Sequence, residues 1–181
     1  MSTSTTTSRK RSLRVALSLA MSLAAAASLA TACVTAESDP RVVPTIPDRA
    51  SFPPVSDLLD HRCGTLDCHG VTYRNLRIYG REGLRFATDA RPSSGQISTT
   101  PEEYDATFAS LVGLEPETMS LVVSEGGAHP ERLTLLRKAR GTEDHKGLAL
   151  WSPGDPQDVC VTSWLAGHTD TAICAQALAA H

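Results

Sequence analysis

Cys63-Gly64-Thr65-Leu66-Asp67-Cys68-His69-Gly70 puts two thiols and an imidazole into one short segment bounded by glycines. Thiolate sulfur is a nucleophile and a soft metal ligand, and neutral imidazole is the commonest metal-ligating side chain. Three chemistries suit such a set. Each sulfur can add across a vinyl group of haem, leaving the histidine directly after the second cysteine to bind the iron from one side. The usual attachment motif is C-x-x-C-H, whereas four residues separate these cysteines. Alternatively the two sulfurs close a local disulfide. The third option is a zinc site on Cys63, Cys68 and His69, for which the sequence offers no clear fourth ligand. A thioredoxin-like redox pair requires C-x-x-C ahead of a helix, and that spacing is absent.

The other cysteines divide by position. The chain has five in all, an odd number. Cys33 follows a segment with the marks of a secretory signal over residues 1–32. Arg9, Lys10, Arg11 and Arg14 come first, then a charge-free Ala/Leu-rich stretch from Val15 to Ala32. Leu29-Ala30-Thr31-Ala32-Cys33 resembles the bacterial lipobox, whose cysteine is acylated and becomes the new N-terminus, with Ala30 where Leu is usual. Ala30-Thr31-Ala32 also satisfies the ordinary A-x-A rule, but that cut leaves a free terminal thiol, a liability in an oxidising compartment. The lipoprotein reading is therefore preferred. Losing residues 1–32 removes four basic residues and no acidic one from a chain of net charge −3, leaving −7. Attachment to a bilayer then depends on acyl chains at Cys33 rather than on charge. Residues 33–54 contain Pro40, Pro44, Pro47, Pro53 and Pro54 among few large apolar side chains and read as an extended tether. With Cys33 assigned to lipid and Cys63 and Cys68 to the motif, Cys160 and Cys174 remain to pair. That bond closes a loop of about 15 residues, nominally worth roughly 3 kcal/mol.

Positioning these groups falls to residues 55–181, expected to be mainly α, with short helices and long loops. Pro54 with Ser56 or Asp57 as cap opens a helix that runs into Cys63. Residues 81–99 lack any period and read as loop. Thr100-Pro101-Glu102-Glu103 is a complete helix start, followed by Tyr104, Phe108, Leu111 and Val112 at helical spacing up to Gly113. Met119 to Val123 is compatible with strand or helix. Pro130-Glu131 starts a helix carrying Leu133, Leu136 and Ala139 to Gly141, and Asp155-Pro156 starts another carrying Val159, Val161, Trp164 and Leu165 to Gly167. An Ala-rich helix over 170–180 ends the chain. Of the residues 41% are apolar but only 4% aromatic, so the core rests on Leu, Val and Ala, or on something bound. A body of this kind is hard to stabilise without a staple or a cofactor.

The segment Asp57 to Gly70 looks like the attachment helix of small cytochrome c modules. Later islands, in order, resemble the planctomycete-type cytochrome c module. Arg132 to Gly147 is similar to its "Ser-x-Leu … His-Gly-Gly" block, with Leu148 where the second glycine falls. Asp158 to Gly167 is similar to its last helix, which closes on Trp-Leu or Trp-Ile and a glycine. The resemblance covers about 57 to 167. It implies a cytochrome c-like domain with haem c on Cys63 and Cys68 and His69 as the first axial ligand. It also makes His145, in a loop between Gly141 and Gly147, the candidate second ligand. Met119 is the alternative, as a thioether ligand, or else simple core filler. Trp151 and Trp164 suit either the flank of a ring or the core. Arg74, Arg77, Arg81 and Arg85 form the densest basic patch, suited to haem propionates or to a solvated surface. His61, His129, His168 and His181 read as surface residues.

The acidic balance and the lack of a basic cluster exclude nucleic acid as a partner. No phosphate loop, HExxH or nucleophile elbow is present, Ser152 lying in Leu-Trp-Ser-Pro, so no catalytic constellation is expected. The expected function is electron transfer by an envelope-anchored haem c lipoprotein that exchanges electrons with a partner protein. Val34 after the acylated cysteine is not an inner-membrane retention residue, which points to the outer membrane. The alternative, from a different class, is a haem-free, disulfide-stapled lipoprotein with a structural or interaction role on the same fold.

Overall fold

Proline decides where most of the helices begin. Pro53, Pro101, Pro116 and Pro156 each occupy the first helical position, where a missing N–H leaves no bond unmade and the fixed φ is already helical. The computed structural model describes residues 43–86 and 98–180. The expected signal segment, Cys33, the start of the tether and His181 lie outside them. Among the described residues there are six α-helices: α1 (Pro53–Cys63), α2 (Pro101–Val112), α3 (Pro116–Ser124), α4 (Thr134–Ala139), α5 (Pro156–Leu165) and α6 (Thr171–Ala179). The only strand-like pairing in this region is an isolated bridge between Tyr79 and Leu84. The protein is mainly helical. None of the described helices is long and apolar enough to cross a membrane.

The starts of α2 and α6 are capped by side chains. Thr100 and Glu103 form a complete capping box, and Asp170 accepts from the Ile173 N–H. α1 differs from expectation: neither Ser56 nor Asp57 caps it. Its N-cap is Phe52, which makes no side-chain bond there, because Pro53 and Pro54 already remove two of the N–H groups a cap would serve. The open stretch 119–123 is helical, inside α3. The single helix expected from Pro130 breaks in two. A 3₁₀ turn over Pro130–Arg132 is separated from α4 by the extended backbone of Leu133. Glu115 then caps α4 from across the fold, its Oε2 accepting the Thr134 N–H at 2.7 Å.

The folded unit also begins earlier than residue 55. Val43 is its first residue, so the last part of the expected tether belongs to the body. It is held by a bond from the Thr45 N–H to Ser120 Oγ at 2.9 Å, by an Arg49–Asp105 ion pair, and by two contacts in the core. Phe52 is 1% exposed and packs against Phe108 and Trp164, with ring centres 5.4 and 4.9 Å away. The buried Trp164 indole donates to the Asp48 carbonyl at 2.8 Å. An indole N–H in the core needs a partner, and the returning chain provides it. α5 and α6 are joined by the Cys160–Cys174 disulfide, with Cα atoms 4.8 Å apart and both residues fully buried. Arg140 at the end of α4 makes a two-pronged pair with Asp158 in α5, at 2.7 and 3.0 Å. Such a fork fixes direction as well as distance.

The tightest packing lies where α1 ends. The Gly64 N–H donates to the Asp60 carbonyl at 2.8 Å, and the chain then folds back over the helix end. A side chain on Gly64 or Gly80 would overlap the Asp60 carboxyl, and one on Gly70 or Gly83 would overlap the Gly64 carbonyl. Backbone therefore lies on backbone, a closeness only glycine permits. Asp60 is 3% exposed, and its Oδ2 accepts the Glu82 N–H at 3.0 Å, whereas Oδ1 has no hydrogen-bond partner.

Burial pushes the Asp60 carboxyl up to about 6, with the Glu82 and Asp57 carboxylates acting in the same direction against the Glu82 N–H. A carboxyl whose pKa is raised by folding contributes stability below its unfolded value, and that contribution is lost as pH rises through the folded value. The stability difference between wild type and Asp60→Asn should therefore shift toward the variant between about pH 4 and pH 6, by at most roughly 3 kcal/mol. Urea unfolding of both proteins across that range measures it. Parallel profiles would show that Asp60 is not the titrating group.

Candidate cofactor site

A cleft of about 620 Å³ opens between the segment after α1, helix α4 and the loop that follows α4. That volume lies within the range of ligand and cofactor pockets. Cys63, Cys68 and His69 line one wall, Leu135 and Ala139 another, and His145 and Gly147 the third. Both cysteines are free thiols, so the local disulfide is not formed. Burial pushes the Cys63 thiol up to about 12, with Cys68 adding to the shift and Arg62 opposing it. At neutral pH Cys63 is a protonated thiol in an apolar wall, not an activated nucleophile.

His69 is held from three directions. Its N–H donates to the Cys63 carbonyl at 2.9 Å, and its own carbonyl accepts from the Ile78 N–H at 2.9 Å. Its ring Nδ1 lies 3.1 Å from the Leu76 carbonyl. A carbonyl accepts only, so Nδ1 carries the proton and Nε2 keeps its lone pair. Burial holds the His69 pKa below the usual histidine value, and His145 and Arg74 act in the same sense against the Leu76 carbonyl. The neutral, ligating form is therefore the one present at neutral pH.

His145 faces His69 across the cleft. The two ring centres are 6.0 Å apart and the planes differ by 22°. That separation lies within the range of about 4.5–7 Å over which ring pairs ordinarily interact, and it also equals the span of two imidazoles on one metal ion. A bond of about 2 Å from each nitrogen to a shared metal ion, plus about 1 Å from nitrogen to ring centre, gives a spacing of about 6 Å. His145 Nδ1 is buried with no hydrogen-bond partner. Gly147 lets the backbone close on the ring, since a Cβ there would sit 3.0 Å from His145 Cε1. Among the described residues no three His, Cys, Asp or Glu side chains converge as a ligand set. Cys63, Cys68 and His69 thus do not assemble a zinc site by themselves.

Other residues singled out in the sequence lie elsewhere. Met119 is 2% exposed within α3 and packs in the core, away from the cleft lining. Trp164 and Trp151 are also core residues and do not line the cleft. Of the arginine patch only Arg74 reaches the cleft, where its Nε is buried without a partner. Arg85 is committed to the buried Glu103, and Arg81 pairs with Glu82 at the surface. His129 and His168 are exposed and His61 is half-buried, all outside the cleft. Sequence reasoning passed over Lys138 and Lys146, which also line the cleft. Leu135, Lys138 and Ala139 share one face of α4 at helical spacing, a signal masked by the stronger apolar pair Leu133 and Leu136.

Comparison of the chain with family models, with curated proteins and with solved structures finds no match.

The loop carrying His145 contains one conformational outlier. Leu148 has φ +59°, a left-handed conformation that glycine adopts freely and a branched side chain adopts at a cost. Its N–H donates to the His145 carbonyl at 2.9 Å, closing the turn. The backbone here takes the form that a glycine would favour, although the residue is leucine. Because the Leu148 side chain is 76% exposed, it has little packing to lose. Leu148→Gly should raise stability by about 1 kcal/mol, read as a higher urea midpoint with an unchanged slope. A lower midpoint would show that the exposed side chain contributes more than the strain costs.

Proposed function

We propose that this protein is an envelope-anchored, c-type haem-binding lipoprotein acting in electron transfer, on a cytochrome c-like fold. The observation that carries this reading is the near-parallel pair His69 and His145, 6.0 Å apart across a cleft that also bears two free thiols. Two imidazoles alone leave most of a metal ion's coordination unfilled, and no third side chain among the described residues joins them. A planar macrocycle that brings its own nitrogens fits such a pair. Cys63 and Cys68 would hold it covalently, and His69 and His145 would ligate its iron.

Haem, when bound, supplies the one-electron chemistry; the chain's own residues tune and shield it. Leu76 fixes the His69 tautomer, so that Nε2 is the ligating atom. Leu114, Leu135, Ala139 and Leu150 give the cleft apolar walls that would shield a bound ring from water. Arg74 and Lys146 at the cleft suit the acidic edge of the ring. Cys33 would carry the acyl chains, and the chain between it and Val43 would set the distance from the bilayer. Val34 after it points to the outer membrane, and a partner protein would deliver or accept the electron.

Two measurements test this. Protein made in a host with c-type cytochrome maturation should carry covalent haem by mass and give a pyridine haemochrome spectrum. The double variant Cys63→Ser/Cys68→Ser should give neither. Wild type without covalent haem would overturn the function. Separately, metabolic labelling with a fatty acid should mark the wild type and fail in Cys33→Ser; an unlabelled wild type would refute the anchor.

A further inference from the structure

The two histidines are not held alike. His69 lies between Gly64, packed on Asp60 of α1, and Gly70, packed on the Gly64 carbonyl, and both its backbone groups and its ring are hydrogen-bonded. In haem and metal sites such bracing of the second ring nitrogen orients the ligand and strengthens it. The His145 ring has no such brace, and of its backbone groups the carbonyl accepts the Leu148 N–H within its own turn. Its Nδ1 is unpartnered, and its neighbours Asp144, Lys146, Gly147 and Leu148 are all exposed. The loop is tied back to α4 through an exposed bond from Lys138 Nζ to the Asp144 carbonyl at 2.8 Å, and beyond His145 through the Leu150 N–H on the Ala139 carbonyl. It is also tied through Glu143, whose bonds to Arg137 and Lys138 lie at the surface, each partner about one-third exposed. Surface ion pairs of this kind hold weakly. The turn that carries His145 is closed through the strained Leu148, so releasing it relieves strain rather than adding to it.

Resting on the haem reading above, we infer that His145 is an exchangeable ligand and that the iron accepts a small exogenous ligand on the His145 side. The ligand class is a diatomic such as carbon monoxide on the reduced iron. The step breaks the bond from the His145 nitrogen to the metal and forms one bond from the incoming ligand, with no electron transferred. His69 stays bound throughout. The site would then bind a small molecule as well as carry electrons.

The test mixes reduced holoprotein with carbon monoxide in a stopped-flow spectrometer. In the wild type the Soret band should shift fully, and the observed rate should level off as carbon monoxide rises, because loss of His145 limits it. In His145→Ala the rate should rise in proportion to carbon monoxide, and affinity should increase at least tenfold. If the variant fails to hold haem, the wild-type rate curve decides by itself. A wild type that carries haem but refuses carbon monoxide overturns this inference alone. A wild-type rate strictly proportional to carbon monoxide also overturns it, because no protein ligand then has to leave. A chain without covalent haem overturns both this inference and the function it rests on.

Discussion

The close approach of backbone to backbone at the end of α1 governs the rest of the site. Gly64 and Gly80 close on the buried Asp60, Gly70 and Gly83 close on the Gly64 carbonyl, and none of the four has room for a methyl group. The segment that includes Cys68 and His69 is therefore pressed against the helix that ends in Cys63. This is how two cysteines with an unusual four-residue spacer come to line one wall. It is also how the Leu76 carbonyl comes within reach of the His69 ring. A carboxylate beneath those glycines carries a desolvation cost, which is offset only in part by the Glu82 N–H.

Around this feature the body is assembled from little. Beside Trp151 the aromatic share of the core is one cluster, Phe52, Phe108 and Trp164, and it depends on residues before α1 folding back over α5. α4, the second wall of the cleft, is only six residues long, too short to be helical without tertiary help. Glu115 supplies its cap and Arg140 fastens its end to Asp158. With a small core, held by a disulfide on one side and open to a cleft on the other, much of the apolar surface facing that cleft lacks partners from the chain itself.

Much of the helical framework was legible in the sequence because its signals are local. Thr100-Pro101 with Glu103, and Asp155-Pro156, state their helix starts within four residues. The pairing of Cys160 with Cys174 followed from counting. What was not legible depends on distant chain. Nothing in residues 43–52 announces that Asp48 will accept from Trp164, since a carbonyl has no sequence signature. The break at Leu133 and the capping of α4 by Glu115 belong to tertiary packing. The position of Leu148 was legible as a departure from a glycine-containing pattern, but its left-handed backbone was not. Met119 shows the opposite case: a plausible metal ligand by chemistry, placed in the core by the apolar face of α3.

The burial of the Cys160–Cys174 bond divides the cysteines into two kinds with different histories. Both sulfur-bearing residues are sealed inside the fold, so a reductant reaches them only after α5 and α6 come apart, and the bond is inert for as long as the protein stays folded. The same sealing means that oxidation must precede closure. Until then the thiols of Cys63, Cys68, Cys160 and Cys174 are all open to oxidation, and Cys63 and Cys68 are far closer together in the chain than Cys160 and Cys174, so loop closure favours the pair that the folded protein leaves free. The folded protein nevertheless holds Cys63 and Cys68 as free thiols, so the depth at which the other two are buried constrains the order in which these cysteines are oxidised.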